Sequence, residues 1–406
     1  MEVSTELKNV KPGRIISIDI FRGLTIFTMI FVNDLASVTD IPAWMQHMPA
    51  DADGMTFVDL VFPAFLFIVG MSIPFSISKR LEKGDSTFLL WKHILSRTLS
   101  LLILGVLMVN IGSLNQSATG MNRHLWMLLV FVGAILTWND YPKAEGEKKY
   151  LYKILRSAGI ILLVILAAMF RSGTDDNTGW LKPSWWGILG LIGWAYLASA
   201  AVYFFFKKTP AAIAGFIAVF IFLYIGEKSG TLRVVNFIAE NIVLPGSTIG
   251  AHASITTAGV FFSILLFYHS KNLKEKLIRT LVYTLILFLS GYLLRPLYGV
   301  SKIYATPAWC LYSAGLCCII YFILYWIADE KKITGWSDFL KPAGMNPLFA
   351  YILPSIVYAI LVLTGITFLS DHFGEGLTGI IRSIVYSLII LGITTALTKA
   401  NVRLRL

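Results

Sequence analysis

Charge is scarce in this chain. Asp, Glu, Lys and Arg together make up 14% of its 406 residues, where a soluble domain carries about 25%. A solvated globular surface is excluded on that ground alone. Cysteine is nearly absent: Cys310, Cys317 and Cys318 all fall in one apolar run, which leaves neither a disulfide framework nor a zinc spacing. Walker, GxGxxG and HExxH patterns are missing, which removes the P-loop, dinucleotide-binding and zincin classes. No cluster of ligand-type side chains appears anywhere, so no metal is expected. Acid is also short relative to base, 23 residues against 34, for a net charge of +11. The basic residues sit in short loops rather than along one face, which argues against nucleic acid as a partner.

What the chain has instead is apolar length. Hydrophobic residues make up 56% of it, and the mean hydropathy is +0.72. Apolar runs lie at residues 14–36, 57–78, 90–110, 124–138, 150–170, 185–206, 210–226, 249–269, 277–294, 307–327, 346–366 and 377–398. Runs of this length read as transmembrane helices. The expected fold is therefore all-α, a polytopic bundle of about twelve (ten to twelve) spans in the lipid bilayer. The run at 124–138 is short enough to be re-entrant. The segment after Lys8, Lys11 and Arg14 superficially resembles a signal peptide. It carries Asp19 and Arg22, is too long for an apolar leader core and lacks a small-residue cleavage site, so it reads as a retained first span.

Alternate loops collect Lys79/Arg80/Lys83, Lys143/Lys148/Lys149, Lys207/Lys208, Lys271/Lys274/Lys276, Lys331/Lys332/Lys341 and Lys399/Arg403. The loops between them are poor in Lys and Arg. Twelve spans with both termini cytoplasmic satisfy the positive-inside rule throughout. No segment outside the spans is large enough to fold alone, so residues 1–406 are expected to form one membrane domain. The outer loops are rich in Gly, Asn, Asp, Trp and Tyr, a rim suited to a small polar or carbohydrate ligand. Trp180, Trp185 and Trp186 fit an interfacial aromatic belt more simply.

The polar exceptions concentrate in residues 14–70. An ionisable group in hydrocarbon costs roughly 2.5–3.5 kcal/mol on insertion scales and usually faces a cavity or a partner. Asp19, Arg22 and Asn33 lie within about 60° of one another on a helix wheel, one stripe along the first span. Asp19 and Arg22 have the spacing of an ion pair, and a structural pair is the plainer reading; Arg22 also suits a phosphate. Asn33 can donate to a developing oxyanion or bond helix-end backbone. His47, in the first outer loop, has the chemistry to accept a proton or an acyl group, or is an ordinary loop histidine. Asp59 opens the second span, either orienting His47 or capping the helix. Farther on, Arg295, Lys302 and Asn346 sit at span ends, where snorkelling is the default explanation.

These residues carry a family resemblance. SIDIFRGLTIFTMIFVN, AWMQH and DGMTFVDLVFPAFLFIVG resemble the transmembrane region of heparan-α-glucosaminide N-acetyltransferase and its bacterial relatives. SKIYATPAWCLYSAG and AGMNPLFAY are similar to two later segments of that family. The motifs are dense over 14–76 and return over 295–351. The resemblance implies a transmembrane acetyltransferase that takes an acetyl group from cytosolic acetyl-CoA and delivers it to an amino sugar or glycan on the outer side. It matches His47 to the family's functional histidine and Asn33 to the asparagine ending the first motif. The opening is also similar to the broader membrane acyltransferase group that modifies surface sugars. That group carries a histidine where this chain has Asn33, so the role falls to His47.

The resulting expectation is specific. Catalysis lies with His47, Asn33 and Asp59, and the acetyl-CoA donor lies against Asp19, Arg22, Lys302 and Asn346. The protein sits in a bacterial inner membrane, with the His47 loop periplasmic. The oligomeric state is open, a homodimer included. A twelve-helix sugar transporter and a catalytically inactive membrane partner of the same fold remain as alternatives.

Overall fold

A computed structural model describes residues 15–185, 187–232 and 243–406. Lys8, Lys11, Arg14, Trp186 and residues 233–242 lie outside the described residues.

The protein is an all-α integral membrane protein. The long helices are α1 (Ile16–Leu35), α2 (Val61–Glu82), α3 (Thr87–Asn110), α4 (Arg123–Trp138), α5 (Gly146–Met169), α6 (Ile188–Phe206), α7 (Pro210–Lys228), α8 (Ala251–Phe267), α9 (Leu273–Tyr298), α10 (Pro307–Tyr325), α11 (Pro347–Thr364) and α12 (Gly376–Lys399). Among the described residues, eleven are long and apolar enough to cross a membrane. The exception is α4, with 16 residues. At 1.5 Å per residue it is about 24 Å long, short of a roughly 30 Å hydrocarbon core. The only regular strand pairing among the described residues is a ribbon, Ser172–Thr174 against Asn177–Gly179.

Local chemistry sets the helix ends. Asn122 accepts from the His124 and Leu125 amides at the start of α4, and Asn272 accepts from Glu275 at the start of α9. Proline stands at the first position of α7, α10 and α11, where its missing N–H costs nothing.

The chain divides into two compact units: Met1–Thr25, Pro42–Leu99 and Leu191–Asp338 in the first, and Ile26–Ile41, Ser100–Gly190 and Phe339–Leu406 in the second. The first half of α1 thus belongs to one unit and the second half to the other.

In the first unit α2 packs directly on α8. A Cβ on Gly70 would stand 1.8 Å from the Thr256 carbonyl oxygen, and one on Gly259 would stand 2.1 Å from that of Phe67. In lipid, where burying apolar surface gains little, such backbone approach drives helix association. Gly259→Val must push the two helices apart, and overpacking of this kind costs about 1–3 kcal/mol. We expect a lower melting temperature in detergent; unchanged melting would refute the direct packing. A ring network of Phe67, Phe262, Tyr283 and Tyr321 fills the interior beside this contact, with Phe262 5.7–6.1 Å from the other three.

The same unit fixes the start of α1. The Ile16 and Ser17 amides donate to the two Asp329 carboxylate oxygens at 3.0 and 2.9 Å. Asp329 lies in a π-helical turn, Trp326–Glu330, that extends α10. A carboxylate on two free helix-end amides favours both hydrogen bonding and the helix dipole.

The second unit is organised by buried polar groups. Trp126 of α4 is fully buried and donates to the Leu166 carbonyl of α5 at 3.2 Å. Asp34, near the end of α1, pairs with Arg382 of α12 at 3.1 Å and accepts from Ser383 at 2.6 Å. Asn346 ties down the end of the chain: it donates to Thr398 and the Val402 carbonyl and accepts from the Leu404 amide.

Candidate functional site

The site is built from two loops of the first unit. Residues 42–60 connect α1 to α2, through short 3-10 turns at Ala43–Met45 and Val58–Leu60. Residues 299–306 connect α9 to α10. Gly299 permits the sharp exit from α9, with φ of 63° in the left-handed region.

Asp53 laces the two loops together. One carboxylate oxygen accepts from the Val300 amide at 2.8 Å, and the other accepts from Arg295 Nε at 2.9 Å. The Gly54 amide returns a bond to the Val300 carbonyl at 3.0 Å, and Ser301 Oγ donates to the Ala50 carbonyl at 2.8 Å. The Arg295 hydrogen bond holds the Asp53 carboxyl below its ordinary pKa of 3.8. A depressed carboxylate pKa means that the unfolded chain takes up the proton first. The bond's contribution is therefore present above pH about 4 and is lost as acid titrates the folded group. Acidifying from pH 6 to 3 is expected to lower the melting temperature of the wild type more than that of Asp53→Asn. Parallel curves would show that the lacing carries no stability.

Asp59 is the fixed point of the site. It is 1% exposed, and polar groups meet its carboxylate. Oδ2 accepts from the Met48 amide at 3.2 Å and the Thr56 amide at 3.1 Å, with Thr56 Oγ1 at 3.3 Å. Oδ1 stands 2.7 Å from His47 Nδ1. The carboxylate does not cap α2, whose N-cap residue Leu60 makes no side-chain cap bond. An ionised carboxylate only accepts, so His47 Nδ1 carries the hydrogen and Nε2 keeps its lone pair. The His47 side chain is 43% exposed, so Nε2 belongs to a ring that substrate can reach.

Lys302 completes the cluster. Its Nζ is 3.2 Å from His47 Nδ1, 3.3 Å from Nε2 and 4.0 Å from Asp59 Oδ1. With the hydrogen on Nδ1, the ammonium can donate only to Nε2. Burial pushes the Lys302 pKa down, and the Asp59 charge works in the opposite direction. From behind, the buried Trp309 indole donates to the Asp59 carbonyl at 3.2 Å. Trp44 (63% exposed), Ile303 (61%) and Tyr304 (52%) leave apolar and aromatic surface open on the same two loops.

Three of the expected site residues, His47, Asp59 and Lys302, are thus brought together. Asp19 and Arg22 form an ion pair at 3.4 Å, and Arg22 also donates to Ser72 Oγ of α2 at 2.9 Å. They lie in the first two turns of α1, in the first unit. Asn33 is exposed and belongs to the second unit. Asn346, also in the second unit, is 1% exposed with its amide committed to the chain's own end. Sequence reasoning misses Asp53 and Arg295 as the loop lacing and Asp329 as the anchor of α1. Only their polarity at span ends signals them; the partners are hundreds of residues away.

Fold and site together define a polytopic membrane protein with a carboxylate-oriented histidine on a loop joining two spans. Residues 14–242 match the family described as "Domain of unknown function (DUF5009)", and the chain belongs to that family. It is also similar to heparan-alpha-glucosaminide N-acetyltransferase from Homo sapiens, 26% identical over 372 residues, covering 84% of this chain and 52% of the human protein. The enzyme of that name from Mus musculus is 26% identical over 383 residues, 86% of this chain and 54% of the mouse protein. The chain spans about half the length of the curated relatives it matches.

Proposed function

We propose that the protein is a transmembrane acetyltransferase. It takes an acetyl group from acetyl-CoA on the cytoplasmic side and transfers it to the amine or hydroxyl of an amino sugar or glycan on the other side. The observation that carries this reading is the 2.7 Å contact between His47 Nδ1 and the buried Asp59 carboxylate. The likeness to an acetyltransferase over 84% of the chain supports it. So does the alternation of basic and base-poor loops, the pattern expected if the His47 loop faces the side opposite the donor nucleotide.

The thioester donor supplies an activated acetyl group; the chain's own residues do the rest. His47 Nε2 takes the proton of the acceptor amine or hydroxyl as that atom bonds to the acetyl carbon. The same proton goes to the departing sulfur when the C–S bond breaks, which returns the ring to its starting state. Asp59 keeps the ring in the productive tautomer and offsets the positive charge it gains. Lys302, beside the ring, supplies positive charge where the carbonyl oxygen becomes negative. Trp44 and Tyr304 offer faces on which a sugar ring can pack. Arg22, held by Asp19 and Ser72, is a cation on the donor's side of the same unit.

The test is direct. Purified protein given acetyl-CoA and glucosamine should release free thiol and form N-acetylglucosamine in equal amounts. A second acceptor panel of glycan hydroxyls covers O-acetylation. Absence of thiol release with every acceptor would overturn the proposal.

A further inference from the structure

Arg97 stands ten residues into α3, about 15 Å along the helix from its start at Thr87. A guanidinium that deep in a span normally has a counter-ion. Its contact is instead aromatic, the Tyr196 ring of α6 at 4.6 Å. Among the described residues no carboxylate pairs with it. The two helices are packed along this stretch, since Trp91 also meets Phe204 at 5.3 Å. His93 lies one helical turn from Arg97 on the same face, within electrostatic reach of both Arg97 and Arg80. Asp85 is the one carboxylate that also acts on His93, and it is already paired with Arg80 at 3.0 Å. Two arginines thus share a single carboxylate, and the deeper of them is unmatched.

We propose that Arg97, with His93 and Arg80, binds a phosphate-bearing anion at the Arg80–Asp85 end of the first unit. A guanidinium fixed on an aromatic face keeps its donor fork free for phosphate oxygens, the geometry that arginine matches best. His93 one turn nearer the helix start and Arg80 beyond it extend the site toward the loop, the direction from which an anion would enter. Two sources have this chemistry: the phosphates of coenzyme A and the headgroup of an anionic phospholipid. The coenzyme source rests on the acetyltransferase reading and on this end being cytoplasmic; the lipid source rests on neither.

Binding separates them. Full-length wild type, Arg97→Gln, Arg97→Lys and His93→Gln are titrated with coenzyme A and with the phosphate-free pantetheine, followed by melting temperature. In parallel, native mass spectrometry counts bound phosphatidylglycerol against a neutral galactolipid. Arg97→Gln is expected to weaken coenzyme A or phosphatidylglycerol by about tenfold, the size of one lost charge-assisted hydrogen bond. Arg97→Lys keeps the charge but loses the fork, so it should recover only part of that affinity, and the phosphate-free probes should be unaffected. Weakening of coenzyme A identifies the donor as the occupant, and weakening of phosphatidylglycerol identifies lipid. Wild-type affinity for both in Arg97→Gln, or equal weakening of the phosphate-free probes, overturns the site. If Arg97→Gln does not fold, His93→Gln makes the same comparison with the Tyr196 contact intact. Catalytic turnover plays no part in this readout, so an inactive wild type would sink the enzyme reading and leave the binding result standing.

Discussion

Asp59→Asn should cut acetyl transfer by about 10²–10⁴-fold while the protein still folds. The reason is the direction of one hydrogen bond. In the wild type the carboxylate accepts from His47 Nδ1 at 2.7 Å, which leaves the Nε2 lone pair available. An asparagine retains an oxygen for the Met48 and Thr56 amides, which now meet Oδ2 at 3.2 and 3.1 Å. Its NH2 group then faces Nδ1 and donates to it, so the proton moves to Nε2 and the base is lost. Removing the buried charge also weakens the loop, by about 1–3 kcal/mol. Melting temperature and thiol release measured on the same preparation separate the two effects. A variant with a lowered melting temperature but wild-type turnover would reduce Asp59 to a structural residue.

His47→Ala should be at least as damaging to turnover and far gentler on the fold. The ring is 43% exposed, and its removal leaves Asp59 with its two amide donors and Lys302 within ion-pair reach. We expect transfer to fall by about 10²–10⁴-fold, the range for loss of a positioned general base, with little change in melting. His47→Gln keeps a polar side chain in the loop without a titratable base, and should be as inactive as the alanine. Activity in the glutamine variant alone would mean that the ring only positions the acceptor.

How far the sequence speaks for this arrangement depends on the range of the interaction. Spans are local, and residues 61–78 or 307–325 declare themselves by unbroken apolar length. His47 and Asp59 lie in one loop, so their pairing is readable from a short segment. Capping is an equally plain reading of Asp59, and the two amides of its own loop are what decide against it. Lys302 is conspicuous as a lysine at the end of a span. Its position beside the imidazole depends on Asp53 meeting Val300 and Arg295, a contact spanning more than 240 residues that no periodicity encodes. The wheel stripe of Asp19, Arg22 and Asn33 is real as helix geometry, but Asn33 lies in the other compact unit. Asn346 looks like a polar residue free at a span end; its partners at Thr398, Val402 and Leu404 close a contact that only the folded chain displays. Arg97 obeys the same rule that singles out Arg22, a charge inside an apolar run, and hydropathy averaged over the run hides it.

Vesicles decide the central claim. Protein is reconstituted with acetyl-CoA sealed inside and glucosamine only outside, and the orientation is scored by labelling the His47 loop from without. Molecules with that loop outside should produce N-acetylglucosamine in the external medium and free thiol in the lumen, one for one. The His47→Ala protein, inserted to the same level, should produce neither. Product appearing on the donor's side, or equal yields from the two proteins, would contradict the account.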